Sequence, residues 1–226
     1  MILARSVSTP WGYSVFRPIL TYAATILILM VTGTLLISSE YWPFSSKESD
    51  QFAKCRSSSI TGVVGSIGGP FTLIDQKGRT VTDADVITEP SLIYFGYTFC
   101  PDVCPLDTAR NGEVVDILAQ IGKSATPIFI SIDPKRDTPE VMAEYSEWIH
   151  PKMKGLTGSQ EQVKAASKAY RTYYKLHPDE GNGYYLVDHS TMTYLVLPEH
   201  GFMEFFRRDQ SAEKVAEKVA CYINSS

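Results

Sequence analysis

The chain has 226 residues, a net charge of -4 and a sequence pI of about 5.6, so it carries no basic footprint for nucleic acid. Its 21 Lys and Arg residues are scattered, with no basic run. That length leaves one sizeable folded domain once membrane and linker segments are set aside, and four cysteines are too few for a disulfide scaffold.

Residues 1–17 form a short, acid-free N-terminus carrying Arg5 and Arg17. From Pro18 to Ser39 there is no Asp, Glu, Lys, Arg or His. About 22 residues at about 1.5 Å each span about 33 Å, matching a hydrocarbon core of about 30 Å. A cleaved secretory signal is the alternative, but its apolar region is shorter and ends in a small-residue site. The run here ends Ile37-Ser38-Ser39-Glu40. The sequence therefore predicts an uncleaved transmembrane anchor over 18–39. Arginines before it and acids after it place the N-terminus in the cytoplasm and the remainder outside. Residues 40–59 read as a linker, Ser-rich from Ser45, with a flexible end-to-end distance of about 20 Å.

The domain is expected over 60–226. Phe71–Ile74 followed by Asp75-Gln76-Lys77-Gly78 predicts a strand entering a hairpin. Ser91–Tyr97 is apolar and predicts a central strand covered on both faces. A helix begins near Pro105 and carries Val114, Ile117, Leu118 and Ile121 on one face before Gly122 stops it. Pro127–Asp133 predicts a second core strand. Asp137-Thr138-Pro139-Glu140 opens a helix to about Ile149. Gly155–Thr157 predicts a short strand, and Ser159 with Gln162 a capping box for a helix to about Tyr174. Tyr184–Val187 is expected as a third core strand, Thr193–Leu197 and Phe202–Arg207 as a hairpin, and Ser211 as the cap of a last helix to about Ile223. The order is that of an α/β, thioredoxin-like fold: a central mixed sheet flanked by helices, with an extra N-terminal hairpin and an inserted helix.

Cys100-Pro101-Asp102-Val103-Cys104-Pro105 sits in the strand-to-helix turn of this scheme. A free thiol is only about 3% ionised at pH 7. The positive end of a helix favours the thiolate, and Cys104, beside Pro105, is expected to sit there. Two thiols at i and i+4 suit either a shared metal or a disulfide. Imidazole is the natural third ligand. Among four histidines, His189 follows the third predicted core strand, and in a thioredoxin-like sheet that crossing lies beside the cysteine turn. Asp188 is a candidate supporting group or a surface acid. A Cys2His set suits Cu(I), holds Cu(II) with an added oxygen, and also accepts zinc.

The stretches Gly69-Pro70-Phe71-Thr72-Leu73, Phe95 to Pro105, Ser131 to Glu140 and Val187-Asp188-His189-Ser190 resemble the Sco/SenC family of membrane-anchored, thioredoxin-fold copper proteins. The resemblance implies Cys100, Cys104 and His189 as copper ligands. It also implies delivery of copper to the binuclear site of cytochrome c oxidase subunit II, or reduction of that subunit's cysteines, with another copper chaperone as a possible donor. The Asp133–Glu140 segment is a family marker that reads as a cap and turn rather than as ligands.

Cys55 and Cys221 lie outside that pattern. An oxidising compartment and positions at the two ends of a compact domain allow a Cys55–Cys221 disulfide worth roughly 4 kcal/mol. Two free thiols or an intermolecular bridge are the alternatives. The competing functions are a thiol-disulfide oxidoreductase using Cys100 and Cys104 as a redox pair without metal, and a redox or copper sensor. A peroxiredoxin is disfavoured, because Tyr97 stands where that family usually has Thr three residues before its reactive cysteine. The location expected is a bacterial inner membrane with the domain in the periplasm, the mitochondrial inner membrane being the alternative.

Overall fold

The structure, a computed structural model, describes residues 22–30, 50–56, 66–179, 181 and 183–226. The chain divides into two compact units, Met1–Asp50 and Gln51–Ser226. In the first, residues 22–30 are helical (α1) and expose Ile26, Leu27, Ile28, Leu29 and Met30. The rest of the 18–39 anchor expected from the sequence lies outside the described residues. No helix among the described residues is long and apolar enough to cross a membrane.

In the second unit the elements run β1 (Thr72–Asp75), β2 (Thr80–Thr82), α2 (Asp83–Val86), β3 (Ser91–Gly96), α3 (Val103–Gln120), β4 (Thr126–Ser131) and α4 (Pro139–Ile149). They continue as β5 (Lys154–Thr157), α5 (Gln160–Ala169), β6 (Tyr174–Leu176), β7 (Val187–His189), β8 (Thr193–Leu197), β9 (Gly201–Phe206) and α6 (Ala212–Ile223). Seven strands form one mixed sheet in the order β2-β1-β5-β4-β3-β8-β9, with β3, β4 and β5 parallel. β8 runs antiparallel to β3, and β1 antiparallel to β5. This is the expected thioredoxin-like α/β sheet, and the β1–β2 hairpin is its N-terminal addition.

Every residue of β3 is buried, so each of its faces meets a hydrophobic layer. Leu92 packs with Val114, Val115 and Leu118 of α3 and with Val215, Ala216 and Val219 of α6. Ile93 and Phe95 look the other way, toward Val163 and Ala166 of α5 and the Tyr170 ring, 5.4 Å from that of Phe95. A sandwiched central strand has no water to respond to, and it holds the loop at its C-terminal end, residues 97–102, in a fixed position.

Four boundaries differ from the sequence reading. The compact unit starts before residue 60: Phe52 and Cys55 are buried against α6, so part of the expected linker is core. α3 begins at Val103, two residues before Pro105, which occupies the first turn where an absent N–H costs nothing. α5 ends at Ala169 because Tyr170 turns into the core and Arg171 adopts φ 51. The expected third core strand, Tyr184–Val187, is not in the main sheet. Its residues alternate between exposed and buried, whereas all of β8 is buried, and β8 takes the place beside β3. β7 pairs only with β6, as a separate two-stranded ribbon.

Candidate metal centre

β3 ends at Gly96, the one residue type that fits there. A Cβ at position 96 would lie 2.8 Å from the Phe129 ring and 2.9 Å from Cys104 Sγ. The missing side chain lets the Cys104 sulfur sit directly on the strand end. Cys104, in the first turn of α3, is fully buried, and Cys100, in the loop before it, is 8% exposed. Both are free thiols.

The ribbon brings the third group. His189 closes β7, and its Nε2 lies 3.3 Å from Cys104 Sγ. Its Nδ1–H donates to the Ser190 carbonyl 2.9 Å away, which directs Nε2 at the sulfurs. The imidazole stands edge-on to Tyr94 and Tyr97, with ring centroids 6.1 and 5.9 Å away. One donor atom each from Cys100, Cys104 and His189 lie within 4.8 Å of one another, and no other such cluster of three occurs among the described residues.

The two thiols are not equivalent. The hydrogen bond from the Cys104 thiol holds the Cys100 thiol down at about 3, against its burial, and the His189 contact and the N–H groups of Asp102 and Cys104 assist. Burial pushes the Cys104 thiol well up, and the neighbouring Cys100 adds to that. The thiolate is therefore Cys100, and the sequence argument that favoured Cys104 is corrected by the helix start. Because α3 opens at Val103, the unpaired N–H of Cys104 points back to Cys100 Sγ at 3.4 Å. The N-cap residue Asp102 makes no side-chain cap, and the sulfur takes that role.

Buried polar groups brace this arrangement. Asp137 is fully buried and accepts the Thr98 N–H at 3.1 Å, the Thr98 hydroxyl at 2.5 Å and the Ser131 hydroxyl at 2.6 Å. It ties the cysteine loop to the end of β4, and its burial raises its carboxyl above the usual range. Asp133 accepts from Arg136 Nε and from the Tyr185 hydroxyl at 2.7 Å. Arg136 Nη1 then donates to the Tyr185 carbonyl at 2.9 Å, and the Val187 N–H donates to the Tyr97 hydroxyl at 3.3 Å. The Asp133–Asp137 segment thus fastens both the thiol loop and the approach to His189, a larger role than the cap and turn read from its sequence. Only its two buried acids beside a strand end hinted at that. On the α3 side, the Tyr94 hydroxyl donates to the buried Asp107 carboxylate at 3.0 Å, a pair for which the sequence offered no signal.

Asp188 is not brought to the thiols. Strand alternation turns it outward, and its carboxylate pairs with His177 Nε2 at 2.8 Å in an exposed setting. Cys55 and Cys221 are joined in a disulfide with Cα atoms 5.7 Å apart. His150 pairs with Asp116, and His200 packs edge-on against Phe52.

The SCO1/SenC family model matches residues 62–224. Protein SenC of Rhodobacter capsulatus is 50% identical over 204 residues, covering 90% of this chain and 89% of that protein. The human mitochondrial SCO1 homolog is 40% identical over 159 residues, covering 70% of this chain and 53% of that protein. Among solved structures, copper-bound ScoI of Arabidopsis thaliana superposes with a TM-score of 0.67 at 38% identity, covering 71% of this chain and 99% of that one. Copper-bound yeast Sco1 gives a TM-score of 0.67 at 38% identity, covering 71% and 90%. With the family model spanning nearly all of the second unit and the SenC likeness extending over nine-tenths of the chain, this protein belongs to the SCO1/SenC family.

Proposed function

We propose that this protein carries copper on Cys100, Cys104 and His189 and delivers it during assembly of cytochrome c oxidase, to the binuclear copper site of subunit II. The observation that carries the reading is the convergence of two sulfurs and an imidazole nitrogen within 4.8 Å in a nearly dry pocket. Two soft thiolates select Cu(I) over hard cations, and imidazole completes a set that also tolerates Cu(II). The cargo metal takes the proton's place between the sulfurs, so loading releases the proton held by Cys104. Cys100, already a thiolate and the more exposed of the pair, is the ligand an incoming acceptor thiolate displaces first. The buried Cys104 and His189 release last.

The low-pKa Cys100 beside a protonated Cys104 also supports a second reading, thiol-disulfide exchange on the same target. Cys100 attacks a target disulfide, and Cys104 then attacks the mixed disulfide, leaving a Cys100–Cys104 disulfide and a reduced target. Such a step prepares acceptor cysteines for copper and needs an external reductant for turnover. The Cys55–Cys221 disulfide supports an oxidising compartment. With residues 18–39 as anchor, the proposed location is the bacterial inner membrane with the second unit in the periplasm.

Copper and zinc analysis of the full chain, purified reduced and anaerobic, tests the reading. One Cu(I) per chain, lost in Cys100→Ser, Cys104→Ser and His189→Ala, is expected; zinc in its stead overturns it. Unchanged oxidase copper in a deletion strain would reject the assembly role and favour a sensor.

A further inference from the structure

The guanidinium of Arg136 is nine-tenths buried next to the cysteine loop. It lies 3.6 Å over the Tyr185 ring centroid, 4.8 Å from that of Phe99 and 5.5 Å from that of Tyr97. Its Nε donates to Asp133 and its Nη1 to the Tyr185 carbonyl. Its Nη2 is shut off from solvent and has no hydrogen-bond partner. A dry donor left bare on a charged group is costly, and such a group in a folded protein calls for a functional or solvent partner.

Of the three rings around it, Tyr97 and Tyr185 are buried and hydrogen-bonded, whereas Phe99 is 50% exposed and adjoins Cys100 in the chain. An apolar ring at the surface that makes no hydrogen bond is the cheapest part of this cage to move. We propose that Arg136 Nη2 is a recognition point for a backbone carbonyl of the peptide segment that Cys100 engages, with Phe99 swinging aside to admit it. Charge favours a neutral carbonyl over a carboxylate. Asp133 already neutralises the guanidinium, so it holds no net positive charge for a second anion. An acceptor loop bearing a thiol pair would thus be held by its main chain beside Cys100, whatever its side chains. This inference rests on the transfer function proposed above and names how that function selects its target.

The test uses the full reduced chain without copper and a twelve-residue peptide with a Cys-x3-Cys centre, both cysteines replaced by Ser to prevent chemistry. The ¹⁵N resonance of Arg136 Nη2 is followed as peptide is added, with sodium acetate as a parallel arm. The inference expects the Nη2 signal to shift in step with peptide binding and not with acetate. It also expects Arg136→Lys, which keeps a charge for Asp133 but lacks the second amino group, to weaken the peptide roughly fivefold or more, the loss of one net hydrogen bond. Peptide binding without an Nη2 shift, equal binding by the Lys variant, or no binding at about 10 mM peptide overturns it. An equal shift with acetate overturns it in favour of a general anion site. Copper titration of the same wild-type sample, followed by transfer to the same peptide with its cysteines restored, reports separately on the transfer function, so failure of one reading is distinguishable from failure of the other.

Discussion

Cys104 Sγ and His189 Nε2 meet at 3.3 Å although 85 residues separate them in the chain. The sulfur arrives on the first turn of α3 and the imidazole on a two-stranded ribbon outside the main sheet. The candidate metal centre is therefore assembled from a helix on the main sheet and from the β6–β7 ribbon beside it.

His189→Ala is expected to lower Cu(I) affinity by 100-fold or more, about 3 kcal/mol for a lost ligand. The thermal midpoint should move little, because the ring is only partly buried and β7 belongs to the ribbon. Competition with a chromogenic Cu(I) chelator reads the first quantity and calorimetry the second. A variant that retains wild-type affinity removes His189 from the ligand set.

Cys100 should alkylate as a thiolate across the neutral and mildly acidic range. Its folded pKa is depressed to about 3, so the ionised form persists as pH falls until that value is approached. The iodoacetamide rate of the reduced chain should be flat from pH 8 to about pH 5, unlike a free thiol, whose rate falls tenfold per pH unit below about 8. Cys104→Ala, which removes the donor, should steepen the profile, since the hydrogen bond from Cys104 is the largest cause of the shift.

Gly96→Ala is expected to reduce both stability and copper affinity. The added methyl would press on Phe129, in the core, and on the Cys104 sulfur, neither of which has room to retreat. Overpacking of this kind costs about 1–3 kcal/mol, readable as a lower urea midpoint at unchanged slope. Intact Cu(I) affinity in a destabilised variant would show that the sulfur is not displaced.

Asp137→Ala strips the acceptor from the Thr98 N–H, the Thr98 hydroxyl and the buried Ser131 hydroxyl. Leaving such donors bare costs about 1–3 kcal/mol each at most, and partial relaxation makes a total of about 3 kcal/mol the expected loss in chemical denaturation. Since Thr98 lies in the cysteine loop, Cys100 alkylation should lose its low-pH plateau. An unaltered profile would confine Asp137 to stability.

Cys55→Ser with Cys221→Ser removes a bridge that spans 166 residues. Chain entropy assigns such a loop about 5 kcal/mol, less any strain. The double variant should unfold at a lower denaturant concentration than wild type, and dithiothreitol should lower wild type to match it. Cu(I) stoichiometry should stay at one, because neither cysteine adjoins the metal centre.

The sequence by itself determined the order of most elements along the chain, because a wholly apolar Ser91–Gly96 and capped, periodic helices state their burial locally. It also pointed to the candidate ligands, since Cys100 and Cys104 flank a strand-to-helix turn and need only one turn of chain to converge. Only tertiary structure decided which thiol ionises, because that depends on α3 opening at Val103 and on the unequal burial of two neighbours. It alone set Tyr184–His189 apart as a ribbon, a competition won by the fully buried β8 over a half-buried rival. It alone turned Asp188 to His177, and it joined Cys55 to Cys221 by burying Phe52 and Cys55 against α6. Interactions within a few residues are written in local sequence, whereas burial, proton placement and contacts across 85 or 166 residues exist only once the chain has closed on itself.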